Sequence, residues 1–169
     1  MKSTILAFAL SALCASSAMA NTYDVQLHQS KTNPHQWTGS FNLSQPTPWE
    51  GQYFSDTYNF TPDLPGALTV NGGVVNFFGF DEQKIRFSHV FLNETELALS
   101  NGDGESKARL TNVVLSGPLS LRVTGWTGDS ASYSGNFNIT TAVPEPATYG
   151  MLMGGLALVG VAARRRKAK

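Results

Sequence analysis

The sequence predicts an all-β fold: a single antiparallel β-sandwich of jelly-roll-like form, flanked by an N-terminal signal peptide and a C-terminal transmembrane helix. Three observations carry this reading. Apolar and polar residues alternate with period two through much of 21–142, as they do in strands with one buried face. Clusters of Gly, Pro, Asn and Asp interrupt the alternation, and no stretch between them sustains helical periodicity. Each end of the chain instead carries an uncharged, largely apolar run beside basic residues.

At the start, Met1-Lys2 supplies a positive charge, 5–13 is apolar, and Ala18-Met19-Ala20 is a small-x-small cleavage site. Residues 1–20 therefore read as a secretory signal peptide, which places the mature N-terminus at Asn21. Cys14, the only cysteine, falls inside it, so the mature chain has neither a disulfide framework nor thiol catalysis.

The body, 21–142, is one domain in length. Alternation marks strands at Tyr23, Val25 and Leu27, then at Trp37, Gly39, Phe41 and Leu43. Phe54, Asp56 and Tyr58 would share one face of the next strand. Ile85, Phe87, His89 and Phe91 are expected on one face of a later strand, with Arg86, Ser88 and Val90 on the other. Leu119, Leu121 and Val123 continue the pattern, and Tyr133, Gly135, Phe137 and Ile139 make a closing strand. Breaks are expected at Pro46-Thr47-Pro48, across 62–66, at Asn71-Gly72-Gly73, Asn101-Gly102-Asp103-Gly104 and Gly117-Pro118, and at Thr127-Gly128-Asp129. Eight to ten strands follow from this spacing, within the range for a sandwich. The aromatic cluster Tyr53, Phe54, Tyr58, Phe60, Phe77, Phe78, Phe80, Phe87 and Phe91 is expected to fill the core. Trp37, Trp49 and Trp126 are the candidates for exposure.

Charge narrows the function classes. The whole chain is formally neutral, but the body holds six basic against eleven acidic side chains, a net of −5. That disfavours nucleic acid as a partner, which asks for a basic surface. His28, His35 and His89 are scattered without zinc-ligand spacing. The run 101–105 begins like a calcium loop but lacks the later acidic ligand, and reads as a hairpin turn. There is no nucleophile elbow, phosphate loop or dinucleotide fingerprint. No catalytic residue, metal or cofactor is expected.

The tail runs Val143, Pro144, Glu145, Pro146, then seventeen residues (147–163) without a charge, then Arg164, Arg165, Arg166 and Lys167, the basic stop within 164–169. As a helix, 147–163 would span roughly 25 Å, at the short end for a membrane crossing. The basic cluster would stay cytoplasmic, leaving the body on the outer side. The two prolines keep the segment around Glu145 from starting a helix early. This order closely resembles the PEP-CTERM sorting signal of Gram-negative bacteria over residues 143–169. The resemblance implies recognition by an exosortase in the inner membrane, a transient C-terminal anchor, removal of the tail near the Pro-Glu-Pro motif, and delivery to the cell surface or outside the cell.

With that tail, Phe54, Asp56 and Tyr58 resemble the signature of the FxDxF subfamily of PEP-CTERM proteins, Tyr58 standing where the final Phe is expected. The resemblance carries no biochemical activity. The PEP-CTERM resemblance implies an association with exopolysaccharide and biofilm formation. Two roles stay open: a non-enzymatic exported protein of the extracellular polysaccharide matrix, or a secreted carbohydrate-binding module that stacks Trp37, Trp49 or Trp126 on sugar rings.

Overall fold

The computed structural model describes residues 19–46, 51–142 and 146–167. The elements run β1 Met19–Gln29, β2 Gln36–Pro46, β3 Gln52–Thr61, β4 Ala67–Phe77, a single 3-10 turn Asp81–Gln83, β5 Ile85–Leu92, β6 Thr95–Glu96, β7 Ala98–Asn101, β8 Glu105–Ser116, β9 Ser120–Thr127, β10 Ser130–Thr141 and α1 Pro146–Lys167. The fold is all-β apart from α1 and the short turn. Met19 and Ala20, assigned to the signal peptide, open β1; the rest of that expected segment lies outside the described residues.

The ten strands form one nearly closed sheet, in the order β6-β5-β9-β3-β1-β2-β10-β4-β8-β7. This corrects the expectation of two separate and wholly antiparallel sheets. The cause is β1. From Met19 to Gln26 it pairs with β3 in parallel, and from Leu27 to Gln29 it pairs with β2 antiparallel. One long strand thus serves both halves. Period-two alternation is the same for parallel and antiparallel pairing, so it carried no signal of this. The two ends of the order, β6 and β7, are consecutive in the chain. They are joined by the buried Leu97, whose N–H donates to Val90 O at 2.8 Å. Asn101 finishes the seam: its Oδ1 accepts from Phe87 N at 3.2 Å and its Nδ2 donates to Phe87 O at 3.0 Å. A side-chain amide thereby replaces one rung of a ladder across an open edge.

A single core fills the interior, from Val25 and Leu27 at the start of the chain to Phe137 and Ile139 at its end. Two irregularities shape it. In β5 the register shifts between Phe87 and His89. Ser88 is the extra residue; its hydroxyl lies 3.0 Å from Thr124 Oγ1, which also donates to His89 O at 2.8 Å. Beyond the bulge the faces exchange: Val90 and Leu92 point inward, while His89 is exposed and Phe91 half-buried. The expected single face from Ile85 to Phe91 is therefore corrected at Ser88, because one inserted residue turns every later side chain over.

The second irregularity is in β4, which runs through Asn71-Gly72-Gly73 where a break is expected, with a register shift between Val70 and Gly72. The glycines are there for close approach. A Cβ on Gly72 would lie 2.3 Å from Asn136 O, and one on Gly73 would lie 2.1 Å from Ala108 O. The aromatic expectation also divides. Phe54, Tyr58, Phe60 and Phe87 are buried, whereas Phe77 and Phe80 are exposed at the β4–β5 connection. Tyr53, Phe78 and Phe91 are half-buried.

No helix among the described residues is long and apolar enough to cross a membrane. The expected transmembrane helix at 147–163 falls within α1, which also takes in Pro146 and the basic cluster. Its uncharged run is short, carries four glycines (Gly150, Gly154, Gly155 and Gly160), and ends in charge, all of which lower its mean hydropathy. Pro146 suits the first helical turn, where its missing N–H has no intrahelical partner to lose.

Candidate functional sites

Three regions bear on function. The first is the Phe54, Asp56, Tyr58 motif, which lies on the inner face of β3, between β1 and β9 and away from any sheet edge. Asp56 is fully buried. Tyr133 on β10 donates to Asp56 Oδ2 at 2.7 Å, and the Tyr58 and Tyr133 hydroxyls are 2.6 Å apart. Asn21 Nδ2, one strand over, is 3.4 Å from Asp56 Oδ1. Aromatic rings enclose this polar chain: Phe41 stacks on Tyr58 at 3.9 Å, Tyr23 on Tyr58 at 5.2 Å, and Phe54 on Tyr133 at 5.7 Å. Burial, then the neighbouring Tyr58 and Asp56, push the Tyr133 phenol far above its ordinary value. Burial raises Tyr58 strongly as well. The arrangement is a hydrogen-bonded polar thread through an apolar interior, closed to solvent. Sequence reasoning missed Tyr133 as its partner, which sits 77 residues away in the chain.

The second region is the tail. Pro144 and Glu145 lie outside the described residues, and Pro146 opens α1. Met151, Leu152, Met153, Leu156, Leu158 and Val159 are all exposed, so the described part of the helix presents apolar side chains on every side. Arg164 is exposed, and Arg165, Arg166 and Lys167 continue the helix to its end. Cations belong there, at the negative end of the helix dipole.

The third is the outer face of β3, β9 and β5. Trp126 in the middle strand is 51% exposed. Tyr53 and Arg86 are its register partners on either side. The Tyr53 ring meets the indole edge-on at 5.3 Å between centroids. Beside Trp126 opens a cavity of about 290 Å³ lined also by Arg86, Lys84, Asp81 and Gly128. Further along the face, the Arg122 guanidinium lies 5.1 Å from the centre of the Phe91 ring. Trp37 is half-buried against the core, and Trp49 lies outside the described residues. Arg86 and Tyr53 were not foreseen beside Trp126. The signal was present, since Arg122, Thr124 and Trp126 alternate with Leu121 and Val123 along β9.

Among the described residues no group of His, Cys, Asp and Glu is placed to hold a metal ion. The run 101–105 turns from β7 into β8, with Gly102 N donating to Glu105 O at 2.9 Å.

Comparison with known proteins separates the tail from the body. No curated protein matches the chain. Solved structures resemble the body only remotely. The pre-peptidase C-terminal domain of a Bacillus anthracis collagenase is 10% identical, with 73% of this chain and 95% of that one covered and a TM-score of 0.34. A periplasmic inhibitor of g-type lysozyme from Aeromonas hydrophila is 12% identical, covering 72% and 97%, with a TM-score of 0.29. A β-glucosidase from Paenibacillus barengoltzii is 12% identical, covering 76% and 12%, also at 0.29. Similarities this slight assign neither a fold family nor a function to the body. The tail is different: residues 142–167 match the PEP-CTERM protein-sorting motif. This chain therefore carries a PEP-CTERM sorting signal, the mark of a secreted protein targeted to an exosortase.

Proposed function

We propose that the chain is a non-enzymatic protein, exported, processed by an exosortase, and delivered to the cell surface or extracellular polysaccharide matrix. The observation that carries this reading is the PEP-CTERM match over 142–167, falling on a helix whose described apolar side chains are exposed. An uncovered apolar surface of that kind calls for a partner. A short apolar handle ending in four basic residues is suited to temporary engagement by a membrane enzyme. Within the body, the fully buried carboxylate of Asp56 is sealed among tyrosines, which gives it a structural rather than a catalytic place in this reading. The mature protein should end near Pro144-Glu145-Pro146 in cells that hold an exosortase. Intact-mass measurement tests this, and secreted protein that still contains Met151 and the residues up to 163 would refute it. Replacing Arg164, Arg165, Arg166 and Lys167 with Ser should reduce the yield of processed protein; unchanged processing would show the cluster to be dispensable.

A second reading, carbohydrate binding, is favoured by one observation: the half-exposed Trp126 with Tyr53 against its edge. The exposed indole offers a flat apolar face to the C–H face of a sugar, with Tyr53 standing against its edge.

A further inference from the structure

We propose that the outer face of β3, β9 and β5 binds an acidic polysaccharide, with a sugar ring on Trp126 and a uronate carboxylate on Arg86. This rests on the carbohydrate reading and gives it a location and a ligand chemistry.

The platform is built on paired strands. Trp126 lies in the middle of three paired strands, and Tyr53 on the neighbouring strand fixes the edge of its ring. Arg86, its register partner on the other side, is exposed and takes part in no ion pair among the described residues. Directly opposed side chains on a sheet face stand about 5 Å apart, so ring and guanidinium can reach one sugar unit together. A free guanidinium is the side chain best shaped to receive a carboxylate in two parallel hydrogen bonds.

The adjoining cavity is built before any ligand arrives. Gly128 N donates to Lys84 O and Gly51 N donates to Thr127 O, both at 2.9 Å. The 3-10 turn sits so close to Gly128 that a Cβ there would be 2.4 Å from Glu82 O. Among the described residues that line this cavity, Lys84 and Arg86 face one acid, Asp81, which lies 3.9 Å from Lys84.

The face suits a polymer more than one sugar. Arg122 and Phe91 repeat the cation-and-ring pairing four residues back along β9, about 14 Å from Trp126 at strand rise. Arg86, Arg122 and Lys84 are three of the six basic side chains of a body whose net charge is −5. Glu96, near this face, is engaged by His89 at 2.8 Å. Isolated cations beside rings match a chain with one carboxylate per sugar; the denser charge of a nucleic acid would ask for a more basic surface.

The test uses the full chain in detergent, titrated calorimetrically with polygalacturonate and, as the neutral control, dextran. Polygalacturonate should bind and dextran should bind more weakly, and the difference should shrink with added salt as screening sets in. Trp126→Ala and Arg86→Gln should each weaken binding about tenfold, the scale of one lost ring or charge contact. Trp126→Tyr, which keeps a ring, should retain most of the affinity. Circular dichroism checks that every variant is folded. Equal binding by native protein, Trp126→Ala and Arg86→Gln would overturn the site. Equal binding of dextran and polygalacturonate would overturn the acidic ligand while leaving carbohydrate binding intact. Binding of neither polymer would overturn both. Tail processing, followed by mass in the same variants, reports separately on export.

Discussion

A carboxylate survives full burial only where donors replace the water it has lost. At Asp56 the Tyr133 hydroxyl does this directly, and Tyr58 extends the chain by donating to Tyr133 in turn. Removing the acid leaves the Tyr58–Tyr133 pair with one buried O–H lacking its acceptor, at a cost of about 1–3 kcal/mol. Asp56→Ala should therefore lower the urea midpoint of the folded chain. Asp103→Ala, in the exposed turn, should change stability by less than about 0.5 kcal/mol. Equal midpoints would show that Asp56 is not a structural group. The same cluster fixes the response to alkali. Tyr133 and Tyr58 titrate higher in the folded chain than in the unfolded one, chiefly because they are buried. The folded state thus holds their protons more tightly, so the contribution is complete below the ordinary phenol value of about 10 and is lost as pH rises above it. Chemical melts between neutral pH and pH 11 should show stability falling above about pH 10. Tyr133→Phe should flatten that fall, and an unchanged slope would mean that other groups control it.

At the scale of elements, the informative positions are those where a strand departs from its pattern. Asn101 closes the sheet by pairing with both backbone groups of Phe87, next to the bulge at Ser88 that interrupts the ladder of β5 with β9. Asn101→Ala should cost about 1 kcal/mol and speed hydrogen exchange at the Phe87 amide. Unchanged protection there would show that the seam closes without the amide. Gly73→Ala should be worse tolerated than Gly117→Ala, whose cost is the backbone strain of its φ of 77° alone, because the Gly73 Cβ has Ala108 O in the way. These features also show where the sequence stopped being readable. Alternation located the strands around Tyr23, Phe41, Ile85 and Tyr133 because each buries one face. It could not show that Ser88 is an extra residue, since Ile85, Phe87, His89 and Phe91 alternate without a break. Nor could it show that Gly72 and Gly73 permit strand contact, since glycine pairs equally mark turns. Phe54, Asp56 and Tyr58 were legible as one face, but Tyr133, which meets Asp56 from a distant strand, was not.

At the scale of the whole molecule, body and tail obey different physics. The tail was legible as a linear order of motif, apolar run and charge. The platform around Trp126 was only partly so, because register rather than sequence distance brings Tyr53 and Arg86 to it. The buried core runs from Val25 to Ile139, and β10 ends at Thr141, held to β4 and β2. The exposed apolar side chains of α1 add nothing to that core. The tail should therefore be thermodynamically separable. A chain ending at Ala142 should unfold at the same urea concentration and with the same denaturant slope as the full chain in detergent, because slope follows the surface exposed on unfolding and the described side chains of α1 are exposed rather than packed on the body. It should also stay soluble without detergent, where the full chain needs it to cover Met151, Leu152, Met153, Leu156, Leu158 and Val159. A midpoint clearly lower for the shortened chain would mean that the helix stabilises the body, and the handle would then be part of the fold it delivers.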